Sequence, residues 1–230
     1  DPATVMLGLE ATPEAVAQIR QEMGLDRPIV VQYAIWLRHV LEGDFGISWR
    51  SKQPVSSLIW RRFPATLELT IAATLIGVVI ALPLGVVSGL RPNTMVDVAA
   101  TWFSLAGVAI PGFWLGLMLL LLLSVQVRWL PPSGYTPFTE DPVQSLRHLI
   151  LPAVTLGIGL AAPLARFVRS GMLDVMATDY IRTARAKGLP EARVVSRHAL
   201  RNSMLSVIAV SGLEIESLLG GAVITESVFN

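Results

Sequence analysis

The residues best placed to do work in this chain form a basic, punctuated stretch, Asp179-Tyr-Ile-Arg-Thr-Ala-Arg-Ala-Lys-Gly188-Leu-Pro190. Thr178 or Asp179 is a suitable helix cap, and Gly188 suits the left-handed stop that ends a helix running to Lys187. Pro190 at a first helical position, with Glu191 beside it, restarts a helix through Val194 to Leu200. Ala184 and Ala186 are small enough to let the first helix sit flush in a groove, while Arg182, Arg185 and Lys187 place charge on its rim. This is the chemistry of docking and not of bond breaking. Eight Lys and Arg residues lie between Arg166 and Arg201, against only Asp174, Asp179 and Glu191.

Other chemistries are poorly supplied. With no cysteine, disulfides, thiolate nucleophiles and Cys-based metal sites are excluded. His39, His148 and His198 are scattered and suggest no metal site, and no Ser/His/Asp cluster can be assembled. No Gly-x-x-x-x-Gly-Lys-Ser/Thr phosphate loop is present, so ATP is not bound in that manner. We expect no cofactor, no metal and no nucleic-acid partner. Glu214 and Glu216 are the least expected residues, because they interrupt an apolar run. A charge near a bilayer centre costs about 2.5–3.5 kcal/mol on insertion scales, so each needs a wet cavity or a partner. Two residues apart on a helix they diverge by about 200°, so at most one faces a narrow translocation path. The competing reading is a carboxylate satisfied by a neighbouring subunit or by water.

The elements that position these residues are helical and apolar. Of 230 residues, 53% are hydrophobic and 15% charged, and mean hydropathy is +0.59, which marks an integral membrane protein. Apolar spans are expected over about 65–89, 98–127, 149–167 and 203–229, with a polar segment over about 168–202. Ile110-Pro111-Gly112 makes the second span either a kinked helix or a tight break. Residues 1–63 read as two short amphipathic helices. Thr12, Pro13 and Gly24 delimit the first, and Pro28 and Gly43 the second. Their expected role is packing or lying at the interface. Gly85 and Gly89, Gly112 and Gly116, and Gly220 and Gly221 are expected to let helices approach closely. The positive charge of 166–201 assigns that stretch to the cytoplasm, 128–148 to the outside, the turn near 90–93 to the inside and residues 1–63 to the outside. The fold class is an all-α polytopic membrane helix bundle.

The polar segment resembles the coupling loop of ATP-binding-cassette importer permeases. That family's motif runs Glu-Ala-Ala, three residues, Gly, nine residues, Ile-x-Leu-Pro. Here Gly188 takes the glycine position and Ala184 the second alanine; Arg182-Thr183 replace Glu-Ala, and His198 stands at the isoleucine. Tyr180-Ile-Arg-Thr-Ala-Arg-Ala-Lys-Gly188 and Arg197-His-Ala-Leu-Arg-Asn202 are similar to the dipeptide/oligopeptide branch, with Ser206 where that branch has a proline. Gly24-Leu-Asp-Arg-Pro28, Gly43-Asp-Phe-Gly46, Pro64-Ala-Thr-Leu-Glu-Leu69, Trp129-Leu-Pro-Pro-Ser-Gly134 and Leu219-Gly-Gly-Ala222 extend the likeness over nearly the whole chain.

The resemblance implies a type I importer fold, with residues 64–230 forming the permease domain, in a bacterial or archaeal plasma membrane. It further implies spans before Asp1 and after Asn230. Expected partners are a second homologous permease, two cytoplasmic ATPases and an extracytoplasmic substrate-binding protein. Relatives in this group handle dipeptides, oligopeptides, glutathione or nickel complexes. The expected ATPase contact is Arg182, Thr183, Ala184, Arg185, Ala186, Lys187, Gly188 and Leu189. Two alternatives remain at this point: an ion-gradient-driven secondary transporter or channel, which Glu214, Glu216 and Pro111 would suit, and a non-transporting scaffold.

Overall fold

In the computed structural model, residues 2–8, 12–48 and 51–229 are described, with backbone alone for residues 2, 6, 206, 217 and 219–228. The chain divides into two compact units, Asp1–Pro64 and Ala65–Asn230. Expectations resting on the side chains around Ser206 and on Gly220 and Gly221 lie outside the described residues.

The first unit holds α1 (Pro2–Leu7), α2 (Pro13–Glu22), α3 (Ile29–Leu41) and the opening of α4. Local chemistry delimits α2 and α3 where the sequence places the limits. Thr12 Oγ1 accepts from Ala15 N at 3.3 Å, a cap worth about 1 kcal/mol. Gly24 and Gly43 follow the two helices at φ +64° and +83°, backbone that favours glycine. No described residue of α3 is buried, and Val30, Tyr33, Leu37 and Leu41 stand exposed along it.

Helix α4 (Val55–Leu90) begins ten residues before the apolar stretch and carries Pro64 and Pro83 within it. At 36 residues it is about 54 Å long, well beyond the roughly 30 Å hydrocarbon core. The turn 91–94 leads to α5 (Met95–Ala109), which Thr94 caps. A bend of 99° then separates α5 from α6 (Gly112–Leu120) and the π-helical turn Leu121–Gln126. This selects the tight break over the kinked helix. Pro111 has no N–H and disfavours helical geometry in the residue before it, and Ile110 sits extended at ψ 122°.

Helix α7 (Pro142–Met176) runs seven residues earlier and nine later than its apolar core. Asp141 explains the early start: Oδ1 accepts from Val143 N and Gln144 N, each at 3.0 Å, with Pro142 in the first turn. Among the described residues, α4 and α7 are long and apolar enough to cross a membrane, and the bent α5–α6 pair makes a third if counted as one span.

The second unit is organised on α7. A row of small residues on α4, four apart (Ala73, Gly77, Ala81, Gly85, Gly89), is buried. A Cβ built on Gly85 would lie 2.5 Å from Val168 Cβ, and one on Gly89 would lie 2.7 Å from Met172 Cβ. Close helix approach through small residues is the packing mode available in lipid, where apolar surface supplies little net driving force between helices. Gly116 packs against Phe229 and Thr155, whereas Gly112 meets nothing within 4 Å, so only one of that pair serves an approach.

The two ends of this unit carry different chemistry. At one end the loop after α6 is pinned to the close of the last helix: Gly134 N donates to Phe229 O at 3.1 Å, and Leu130, Leu151 and Phe229 are buried together. Partial burial there, with the charges of Glu68 and Glu140, pushes the Tyr135 phenol above its ordinary value. At the other end lie the turn 91–94 and the basic segment.

Candidate functional site

The basic segment folds as a helical hairpin. α8 (Asp179–Ala186) ends at Gly188, whose φ of +74° turns the chain, and Gly188 N closes on Arg185 O at 2.9 Å. Pro190 caps α9 (Glu191–Arg193) and does not occupy its first turn, one residue from the sequence expectation. α9 then continues through a π-helical turn (Val194–Ala199) into α10 (Leu200–Phe229), and the joining residues Val194 and Leu200 keep right-handed helical backbone. The second arm of the hairpin is therefore the beginning of α10, with no break between them.

Two faces of α8 separate cleanly. Arg182, Thr183, Arg185, Ala186, Lys187 and Gly188 are exposed. Ala184 is only 7% exposed and packs with Ile181, Val194, Ala199 and Met172 in one buried cluster, and Leu189 packs half-buried against it. Ala184 was expected in the contact set; here its small side chain seats α8 on the chain's own helices.

Ion pairs and hydrogen bonds brace the exposed face. Arg185 donates to Glu191 across the glycine turn through Nε at 3.1 Å and Nη2 at 2.6 Å, and Arg182 pairs with Asp179 at 3.2 Å. Asn202 Nδ2 donates to the Tyr180 hydroxyl at 2.7 Å, tying α8 to α10. The Arg185 guanidinium holds the Glu191 carboxyl below its ordinary value. A carboxyl depressed by folding stabilises above its unfolded value, and that contribution disappears as pH falls through the folded one. Hydrogen exchange should therefore show the amides around Gly188 and Leu189 losing protection on acidification. In Glu191→Gln they should be less protected at neutral pH and respond weakly to acid. Equal acid sensitivity in the variant would discount the pair.

A second cluster lies beside the hairpin. Asp97, 4% exposed at the start of α5, takes Arg169 of α7 bidentately, Nε to Oδ1 at 2.6 Å and Nη2 to Oδ2 at 2.8 Å. The Ser88 hydroxyl donates to Oδ1, and Asn93 N donates to Oδ2 at 2.9 Å. Arg169 also lines a crevice of about 550 Å³ with Thr101, Pro163, Arg166, Phe167 and Ser170, so its outer side meets solvent.

Residues 77–230 match the family described as "Binding-protein-dependent transport system inner membrane component", and residues 1–70 match the N-terminal model of the same systems. The chain belongs to this family. Among curated relatives of this permease, a putative peptide transport system permease protein of Brucella suis biovar 1 (strain 1330) is 43% identical over 229 residues. An oligopeptide transport system permease protein of Bacillus subtilis (strain 168) is 44% identical over 232 residues. Each alignment covers 100% of this chain and 73% of the relative. A glutathione transport system permease protein of Salmonella typhi is 41% identical over 230 residues, covering 100% and 72%. The chain is thus a membrane-embedded permease subunit of an ABC importer, with the all-α fold its sequence implies.

In this permease Glu214 is half-buried and Glu216 exposed on α10. Neither makes a hydrogen bond or ion pair among the described residues, and the structure does not bring them together with the hairpin. Sequence reasoning overlooked Ser88, Asp97 and Arg169. The available signal was one acid at the start of a span and one base near the end of another, on the same expected side of the membrane.

Proposed function

We propose that this permease moves peptides or similar small solutes inward by alternating access, driven by ATP hydrolysis on separate subunits that grip the α8 hairpin. The observation that carries this reading is the two-sided character of α8. Its inner face is seated by Ile181 and Ala184, its outer face is basic and unfilled, and its second arm runs unbroken into α10. A push on such an element reaches a membrane helix directly.

The proposed contact is Arg182, Thr183, Arg185, Ala186, Lys187 and Gly188, with Ala184 and Leu189 as the seat behind it. The hairpin then faces the cytoplasm, residues 1–63 lie outside, and the membrane is a bacterial inner membrane. A second, similar permease, two ATPases and an extracytoplasmic binding protein complete the assembly. Peptide is the substrate class because two of the three relatives above are named for peptides and the third for glutathione, itself a tripeptide. At most one of Glu214 and Glu216 faces the path, given their helical divergence.

These 230 residues contain no cysteine that would compete with an introduced one. Lys187→Cys in the full-length protein, co-expressed with its ATPases, should cross-link to them, and ATP should weaken or shift the cross-link. No cross-link from Lys187 or its exposed neighbours in a folded complex, together with uptake abolished by a protonophore, would make this a gradient-driven transporter.

A further inference from the structure

We propose that Asp97 and Arg169 are positioning residues for transport, binding the α4–α5 turn to α7 so that this turn and the α8 hairpin move as one body. The inference rests on α8 being the ATPase contact, and it adds how the motion reaches helices that α8 does not itself hold.

The Asp97 carboxylate is saturated. Oδ1 accepts from Ser88 and from Arg169 Nε, and Oδ2 accepts from Asn93 N and from Arg169 Nη2. The donors come from the end of α4, from the turn and from α7, so three parts of the fold are fixed on one side chain. A bidentate guanidinium–carboxylate pair fixes direction and register, which sliding apolar surfaces do not. Such buried pairs are poor stabilisers compared with apolar packing, and their best-attested use is to specify arrangement.

The path from hairpin to pair is continuous. Ile181 and Ala184 of α8 share a buried cluster with Val168 and Met172 of α7, one residue before Arg169 and three after it. Gly89, one residue beyond Ser88, packs against Met172 and the Arg169 backbone. A displacement of α8 thus carries the end of α7, and the ion pair carries the α4–α5 turn with it.

Spin labels at Arg91→Cys in the turn and Ala192→Cys in the hairpin, both exposed positions, report on this body. In the full-length permease assembled with its partners in lipid, the distance between labels should be the same without nucleotide and with ATP trapped. In Asp97→Asn and in the milder Arg169→Lys it should differ between those states. Uptake should then fall roughly tenfold while ATP turnover stays within about twofold, the mark of lost coupling rather than lost fold. A distance that already changes with the pair intact would overturn the proposal. So would variants that keep both the distance and the ratio of uptake to ATP hydrolysed. Failure of the ATPase contact is read separately, as absence of the Lys187→Cys cross-link.

Discussion

Arg169→Ala is expected to destabilise the helical unit by about 3 kcal/mol, and Asp97→Ala by only about 1–2 kcal/mol, although the two residues share the same bonds. The asymmetry follows from where each partner sits. Without Arg169, the Asp97 carboxylate, 4% exposed in the intact fold, keeps only Ser88 and Asn93 N as donors. It loses its counter-charge where folding has withdrawn it from water, and an uncompensated charge is the costliest remnant. Without Asp97, Arg169 keeps the open crevice beside it and can turn into solvent, because 32% of its side chain is already exposed. The remaining cost is the unmet Ser88 and Asn93 donors. Denaturation of the purified full-length permease, with both variants compared in one detergent, checks the order. If Asp97→Ala proves the more damaging, a stranded carboxylate is not the main cost of breaking this cluster.

The second large effect lies on the α4–α7 seam, where Gly→Ala should carry a cost that it does not carry off the seam. Gly85→Ala places a Cβ 2.5 Å from Val168 Cβ and 2.7 Å from the Ala165 carbonyl oxygen. Neither neighbour can swing away, since one is a β-branched stem and the other is backbone, so the helices must separate. Overpacking of this kind costs about 1–3 kcal/mol. Gly159→Ala, in the middle of α7, meets nothing within 4 Å and should be neutral or stabilising by up to about 1 kcal/mol through helix propensity. Melting temperatures of the two variants should fall on opposite sides of the parent or, for Gly159→Ala, on it. A Gly85→Ala protein as stable as Gly159→Ala would mean that the seam is looser than these distances.

Features governed by neighbours in sequence were legible from the chain alone. The cap at Thr12 and the left-handed glycines at 24, 43 and 188 depend on a few consecutive residues. Pro111 and Gly112 marked the weak point of the second span, but the tight break and its 99° angle came from the structure, since Pro152 and Pro163 lie within the unbroken α7. Helix ends were less legible. Apolar stretches mark what sits in lipid, whereas the backbone ladder continues through Ser56, Arg61 and Arg62 at the start of α4 as readily as through leucine. Direction was legible least of all. Ala184 could turn toward a partner or toward the chain, and only Ile181, Val194 and Met172 gathered around it decide for the chain.

By itself, then, the sequence determined a membrane-embedded helical permease with a basic hairpin stopped at Gly188, because composition, periodicity, turn chemistry and motif are all local or additive properties. The tertiary structure alone decided which face of α8 is free, that its second arm is the root of α10, and that Asp97 meets Arg169 across 72 residues. Those outcomes depend on how helices pair, and in this unit the pairing is set by shape along the small-residue row of α4. A pattern of hydrophobicity read along one chain contains no partner for that shape.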